Sequence, residues 1–302
     1  MQKVQVLLST YNGGKFLRPL MGSLLDQDYP NVEILVRDDG STDETINVLQ
    51  EYSTLSNVKI FHGQHIGAVR SFFKLLELSS SQAAYFAFCD QDDIWKKDKI
   101  SHAIEMLSAQ KNHRPLLYCG RLKIVDEHLS FRGLSKVPSR GPSFENALVE
   151  NVAGGCTAVF NAHVRDLIAG SIPCSALMHD WWLYLVVSAF GKIVFDKEPK
   201  ILYRLHPNNL MGIKMSFTSA WSDRIQRFRK NRNLHLIYEQ VVEFRKIYGS
   251  YLDDRTKRII DEFTSQRRSF TDRIKYAFLG GAYRQSMIDN LIFKFLIALN
   301  YI

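Results

Sequence analysis

The chain has 302 residues, is 46% hydrophobic and carries a net charge of +8. That is ample for a packed core, and the length suits two domains or one domain with a long extension. The four cysteines, at 89, 119, 156 and 174, form no CxxC pair, which excludes a zinc ribbon and a thioredoxin-type redox motif. Met1 leads straight into strand-like VQVLLS, so we expect no signal peptide and free thiols in a reducing cytoplasm. No run of about 18 apolar residues offers a transmembrane helix. The basic balance calls for an anionic partner. No helix-turn-helix, zinc-finger or RNP signature accompanies it, so nucleic acid is not expected.

Two periods alternate along the first 125 residues. Val4–Ser9 is a continuous apolar run, as for a strand covered on both faces. Phe16, Leu17, Leu20 and Leu24 follow at helical spacing. Val32–Val36 is a second strand, and Asp43 to Tyr52 a helix with Ser41 or Thr42 as N-cap. Val58–Phe61 is a third strand, and Val69, Phe72, Phe73 and Leu76 mark the next helix. Tyr85–Phe88 is a fourth strand, followed by a helix marked by Ile100, Ile104 and Leu107. Leu116–Val125 reads as one longer strand, 126–143 as a loop, and Asn151–Phe160 as a strand with a glycine pair. His179–Phe190 is an apolar helix, and Ile193–Phe195 and Ile201–Arg204 are short strands.

After about 215 the pattern becomes helical and basic. RIQRFRKNR occupies 224–232, and further basic residues stand at 255–258 and 267–268. Ile225, Phe228, Leu234, Ile237, Val241, Phe244 and Tyr248 fit one helical face. The final LIFKFLIALNYI fits a packing helix or an interfacial anchor. We expect a boundary near 215, giving domains 1–215 and 216–302. Alternating β and α predicts an α/β fold with a mainly parallel, doubly wound sheet and a C-terminal helical extension.

Ligands of such sheets bind at the carboxyl ends of the strands. Four successive strand ends carry polar clusters: STYN (9–12), RDDGSTD (37–43), HGQHIG (62–67) and CDQDD (89–93). In CDQDD, Asp90 and Asp92 suit Mg²⁺ or Mn²⁺, or a cation and a ribose. A solvated acidic turn, with Asp92 or Asp93 capping the next helix, fits equally. Asp39 can accept from a nucleobase N–H, and Tyr11 can stack on that base. Thr10 fits a capping role as well. Arg70, early in a helix, can reach a phosphate or be a surface arginine. In MHDWWLY (178–184), Asp180 reads as a general base or an N-cap, with Trp181 or Trp182 as a sugar platform or core. In YRLHPNN (203–209), His206 lies on a loop where imidazole can complete a metal site.

This ordered set resembles the family 2 glycosyltransferases of the GT-A (Rossmann-like) fold over roughly residues 3–210. CDQDDIW, GGCTAVF, MHDWWL and YRLHPNN are most similar to the bacterial rhamnosyltransferase-like branch, which builds O-antigens and other surface polysaccharides. The resemblance implies that Thr10, Tyr11 and Asp39 hold the base, with Arg70, Asp90 and Gln91 also on the nucleotide sugar. It implies that Asp92, with Asp90 and His206, holds a divalent metal. Asp180 then deprotonates the acceptor hydroxyl, and Trp181 and Trp182 face the acceptor. The implied reaction is an inverting, metal-dependent transfer, with dTDP-β-L-rhamnose as donor and a UDP-hexose as the alternative. The implied acceptor is a growing or polyprenyl-diphosphate-linked glycan. The implied location is the cytoplasm or, peripherally, the inner face of its membrane, with homo-oligomers open.

Some positions depart from the family pattern. Ser9 replaces the common Pro, and HD the frequent ED, which leaves Asp180 as the only carboxylate there; His65 replaces the common Asn, so the phosphate loop, Arg70 included, matches the family pattern less closely. The QxxRW motif of processive synthases is absent, which points to one sugar per visit. A nucleotidyltransferase would want a basic Gly-rich loop where STYNGGKF offers only Lys15. A non-catalytic nucleotide-sugar-binding scaffold would not need Asp90, Asp92, Asp180 and His206 together.

Overall fold

The computed structural model describes residues 1–110, 114–207, 209, 235–265 and 269–301. RIQRFRKNR, Ile225, Phe228, Leu234, Arg267, Arg268 and the boundary expected near 215 lie outside these residues. The chain forms two compact units. One comprises 1–137, 153–172 and 178–204, and the other 138–152, 173–177 and 205–302.

The first unit is built on a seven-stranded sheet. Its strands are β1 (Val4–Thr10), β2 (Val32–Asp38), β3 (Val58–His62), β4 (Tyr85–Cys89), β6 (Leu116–Gly120), β9 (Val159–Asn161) and β10 (Lys192–Asp196), in the order β10-β6-β9-β4-β1-β2-β3. All pairs are parallel except those of β9, which runs antiparallel to β4 and β6. Val4, Val6, Leu7 and Leu8 are fully buried, as a strand covered on both faces requires. Helices α1 (Gly14–Leu25), α2 (Thr45–Tyr52), α3 (Ala68–Leu78) and α4 (Lys99–Ser108) make the crossovers, and α6 (Ala162–Ala169) and α7 (His179–Phe190) pack with α3. From β1 the chain winds outward through β2 and β3, then crosses to β4 on the other side. The strand order therefore reverses between β1 and β4, where open α/β sheets bind ligands.

Four sequence expectations are corrected. Residues 116–125 are not one strand: Arg121 and Leu122 separate β6 from β7 (Lys123–Val125), which joins a second, four-stranded sheet. That sheet runs β5-β11-β7-β8 and includes β5 (Ile94–Trp95), β11 (Ile201–Arg204) and β8 (Phe131–Leu134), the last inside the expected loop. Asn151–Phe160 is mostly irregular, because the turn Gly155–Thr157 interrupts it before β9. Helix α2 starts at Thr45, not Asp43, because Asp43 Oδ1 accepts the Thr45 N–H (3.0 Å) and acts as the local cap.

In the second unit α5 (Phe144–Ala147) is a short helix, and α8 (Leu236–Tyr248) buries Val241, Phe244 and Tyr248, with Phe244 packed on Phe144. Three further helices follow: α9 (Asp254–Ser265), α10 (Phe270–Leu279) and α11 (Met287–Ala298). α11 holds most of LIFKFLIALNYI. It buries Phe293 and Ile297 on one face and exposes Met287, Ile288, Leu291 and Phe295 on the other. Among the described residues no helix is long and apolar enough to cross a membrane.

Candidate active site

Parallel strands deliver their following loops to one edge of the sheet. There the loops after β1 and β2 interlock. The Asn12 N–H donates to Ser41 Oγ (2.9 Å), the Thr42 N–H to Asn12 Oδ1 (2.8 Å), the Gly13 N–H to Thr45 Oγ1 (2.9 Å) and the Gly14 N–H to Asp43 Oδ2 (3.2 Å). Helix α1 therefore has its first amides satisfied from the neighbouring loop rather than by a residue of its own. Asp38 closes the β2 turn, accepting from the Gly40 and Ser41 N–H groups and from the hydroxyls of Thr10 and Ser41. Ser41 is spent here and does not cap α2.

Thr10 is buried, and its hydroxyl is committed to Asp38. Asp39 is 1% exposed. Its carboxylate accepts from the Arg37 guanidinium, the Ile66 N–H (3.0 Å) and the Gly67 N–H (2.8 Å), with His65 Nδ1 at 3.0 Å from Oδ2. Arg37 also reaches Ser71 Oγ (2.9 Å) and the Gln64 carbonyl (3.0 Å), and is itself buried. Tyr11 is 41% exposed, and its ring stacks on His65 with centroids 4.1 Å apart.

Gln91 crosses the switch point. Its Oε1 accepts the Tyr11 N–H (2.8 Å) and its Nε2 donates to the Tyr11 carbonyl (3.0 Å). The amide is thus committed to the Tyr11 backbone, so Gln91 positions the Tyr11 loop. A Cβ on Gly13 would lie 2.2 Å from Gln91 Oε1, so only glycine leaves room for this clamp.

The acidic loop has a buried and an open side. Asp90 is half-buried, and its carboxyl is pushed up to about 7, by loss of solvent first and then by the charges of Asp92 and Asp180. Asp93 is fully buried, and Oδ1 accepts the Arg204 N–H (3.1 Å). Burial first, then Asp92 and Asp90, push its carboxyl well up. Neither Asp92 nor Asp93 caps the following helix. β5 intervenes, and Asp98 holds the N-cap position of α4. Arg204 also donates from Nε to the Asp92 carbonyl (2.9 Å), which ties β11 to the acidic loop.

On the buried side, Asp90, Asp93 and the Cys156 thiol offer ligand atoms within 4.8 Å of one another. Burial pushes the Cys156 thiol well up, so it stays protonated. The Lys99 ammonium sits nearby, 1% exposed and 3.1 Å from the centroid of the Trp95 ring, with its proton affinity pushed down to about 7 by burial.

Asp180 lies in the first turn of α7, and its Oδ2 accepts the Gly155 N–H (2.8 Å). A Cβ on Gly155 would lie 2.9 Å from His179 Nε2 and 3.3 Å from Asp180 Oδ2. His179 is buried and stacked on Phe72 (3.8 Å), and burial pushes it down to about 3. The expectation that Trp182 serves as a sugar platform is corrected: it is 0% exposed and belongs to the core, whereas Trp181 is half-buried. Arg70 is exposed at the third position of α3. His206 belongs to the second unit, where its backbone N–H donates to Asn209 Oδ1 (2.7 Å).

Sequence reasoning missed Arg37, Gly155, Lys99, Cys156 and Arg204, and gave Asp93 only a capping role. Arg37 alone left a local signal, since residues two apart on a strand share a face and Asp39 follows it. Gly155, Cys156 and Arg204 meet the site through contacts distant in sequence, whereas Lys99 lies on its near neighbour Trp95.

Comparisons with known proteins bear on the family and the fold. The dTDP-rhamnosyl transferase RfbG of Shigella flexneri is 27% identical over 229 residues, which is 71% of this chain and 76% of that protein. Staphylococcus aureus TarS 1–349 in complex with UDP-GlcNAc superposes with a TM-score of 0.60 at 16% identity, covering 97% of this chain and 79% of that one. The mannosyltransferase PcManGT from Pyrobaculum calidifontis in complex with GDP-Man and Mn²⁺ gives 0.52 at 15% identity, covering 99% and 80%. At these identities the two structures speak to the fold, which is GT-A. The family profile Glycosyl transferase family 2 matches residues 5–165, just over half of the chain. A match of that extent shows that the chain belongs to glycosyltransferase family 2 and is a transferase of sugars.

Proposed function

We propose that this enzyme carries out inverting, divalent-metal-dependent, non-processive transfer of a sugar from a nucleoside-diphosphate donor. Our donor is L-rhamnose from dTDP-β-L-rhamnose. The acceptor is a growing or polyprenyl-diphosphate-linked glycan of a bacterial surface polysaccharide such as O-antigen. One observation carries the reading. At the reversal between β1 and β4, Tyr11 and Asp39 stand on one side and Asp90 and Asp92 on the other, with Asp180 near enough to raise the Asp90 carboxyl. The Shigella relative's name supports the rhamnosyl donor. The UDP-GlcNAc in the TarS complex favours a UDP-hexose as the second reading.

The residues divide the work. Tyr11 stacks on the base and Asp39 accepts its N–H, while Thr10 acts through Asp38. Gln91 sets the Tyr11 loop, and Arg70 meets the diphosphate. Asp180, oriented by the Gly155 amide, takes the proton of the acceptor hydroxyl as that oxygen attacks the anomeric carbon from the face opposite the leaving group. Trp181 lines the acceptor side.

The acidic loop fits a hard cation on its open side: loss of solvent first, and then the charges of Asp92 and Asp180, raise the Asp90 carboxyl, and a bound cation would offset the repulsion among these carboxylates. The buried trio with protonated Cys156 beside Lys99 does not fit one. Asp92, Asp90 and His206 are our ligands, His206 on the family resemblance alone. Bound Mn²⁺ or Mg²⁺ would supply Lewis-acid neutralisation of the departing nucleoside diphosphate.

The test is nucleoside diphosphate release from dTDP-rhamnose, UDP-glucose, UDP-galactose and UDP-N-acetylglucosamine, with and without Mn²⁺ or Mg²⁺, for the wild type and Asp92→Asn. We expect metal-dependent release from one donor, lost in the variant. Neither release nor calorimetric nucleotide binding with metal present would replace the enzyme reading with a scaffold.

We further propose that residues 1–215 form the catalytic domain, and that the basic C-terminal region 216–302 meets the inner face of the cytoplasmic membrane. Exposed Phe278, Leu279, Leu291 and Phe295 on α10 and α11, with exposed Lys275, support this. Flotation with anionic liposomes should fall for Leu291→Glu/Phe295→Glu. Unchanged flotation together with a change in oligomeric state would favour a homo-oligomer interface.

A further inference from the structure

The loop after β3 places the His65 imidazole on two groups at once. Its ring stacks on Tyr11 with centroids 4.1 Å apart and planes 30° from parallel. Its Nδ1 lies 3.0 Å from Asp39 Oδ2 and 3.3 Å from the Asp39 main-chain carbonyl oxygen, with which it is hydrogen-bonded. A planar π-face on Tyr11 and a ring nitrogen beside the Asp39 carboxylate fill the two places that a pyrimidine base with an imide N–H would take. His65 fills both with this chain's own atoms. We infer that His65 is a self-ligand: it occupies the nucleobase position in the unliganded enzyme and must leave before the donor's base can enter. This rests on the reading of Tyr11 and Asp39 as the base site.

The local structure suits a side chain that departs while the backbone stays. The Ile66 and Gly67 N–H groups both bind Asp39, and the Gly63 N–H donates to the Asp38 carbonyl (2.9 Å), so the loop is anchored on either side of His65. The His65 side chain is 54% exposed, so rotation about its own bonds carries the ring into solvent. Asp39 then keeps Arg37 and the two amides, which hold its charge and orientation while the space beside Oδ2 opens. An occupied site lowers apparent affinity by the fraction of molecules in which it is open. The ring thus favours ligands that offer both a stacking face and an N–H over those that offer one.

The test is calorimetric binding of dTDP, UDP and inorganic pyrophosphate, each with Mg²⁺, to the full chain as wild type, His65→Ala and Tyr11→Ala. We expect His65→Ala to tighten dTDP and UDP about tenfold and to leave pyrophosphate unchanged. We expect Tyr11→Ala to weaken both nucleotides. Side-chain NMR of the wild type should show the His65 ring losing the Tyr11 ring-current shift when dTDP saturates. Weakened or unchanged nucleotide binding in His65→Ala, with Tyr11→Ala still weakening it, overturns the self-ligand and leaves the base site standing. Nucleotide binding indifferent to Tyr11→Ala removes the base site and the inference with it.

Discussion

His179 offers a test of the site's packing that needs no substrate. Its ring lies between Phe72 and Phe88, 4% exposed, and neither ring nitrogen has a hydrogen-bond partner among the described residues. Burial pushes its proton affinity down from an ordinary 6.5 to about 3. Between these two values the unfolded chain holds a proton that the folded chain refuses, so stability is fully present above pH 6.5 and declines as pH falls toward 3. The loss is about 1.4 kcal/mol for each pH unit, or roughly 3 kcal/mol by pH 4.5. His179→Phe keeps an aromatic ring in the stack and removes the proton site. Overpacking against Gly155 costs about 1 kcal/mol, and that cost does not change with pH. Urea unfolding at pH 7.5, 6.5, 5.5 and 4.5 should give curves for the two proteins that converge or cross as pH falls. Stabilities that stay parallel over that range would refute the idea that His179 is held neutral in the core.

Gly155→Ala should lower kcat about 100-fold with little change in donor KM, because the added Cβ meets His179 and Asp180 and moves the base. A wild-type kcat would mean that Asp180 is not positioned by that amide. Gln91→Ala removes both bonds to the Tyr11 backbone and should weaken nucleotide binding about tenfold, with the urea midpoint nearly unchanged. Arg37→Met leaves the buried Asp39 without its cation and should destabilise the fold by about 3–5 kcal/mol, read as a lowered urea midpoint. A loss under about 1 kcal/mol would mean that the two amides and His65 suffice for Asp39.

Much of the first unit was legible in the chain itself. Apolar runs such as Val4–Ser9 and Tyr85–Phe88, and helical spacings such as Val69, Phe72, Phe73 and Leu76, are local patterns, and period alone assigns them. Once the strands are parallel, every following loop reaches the same edge, so the gathering of STYN, RDDGSTD, HGQHIG and CDQDD follows from topology. Contacts far apart in sequence leave no such trace. The Tyr11–Gln91 clamp spans 80 positions, and the Arg204–Asp93 bond spans 111. Only tertiary packing decided that Trp182 faces the core, that 116–125 divides between two sheets, that Asp93 turns inward toward Cys156, and that His65 lies on Tyr11 and Asp39. The physical reason is range: backbone periodicity is set by neighbours a few residues away, whereas burial and proton affinity depend on whatever the folded chain brings within a few ångströms.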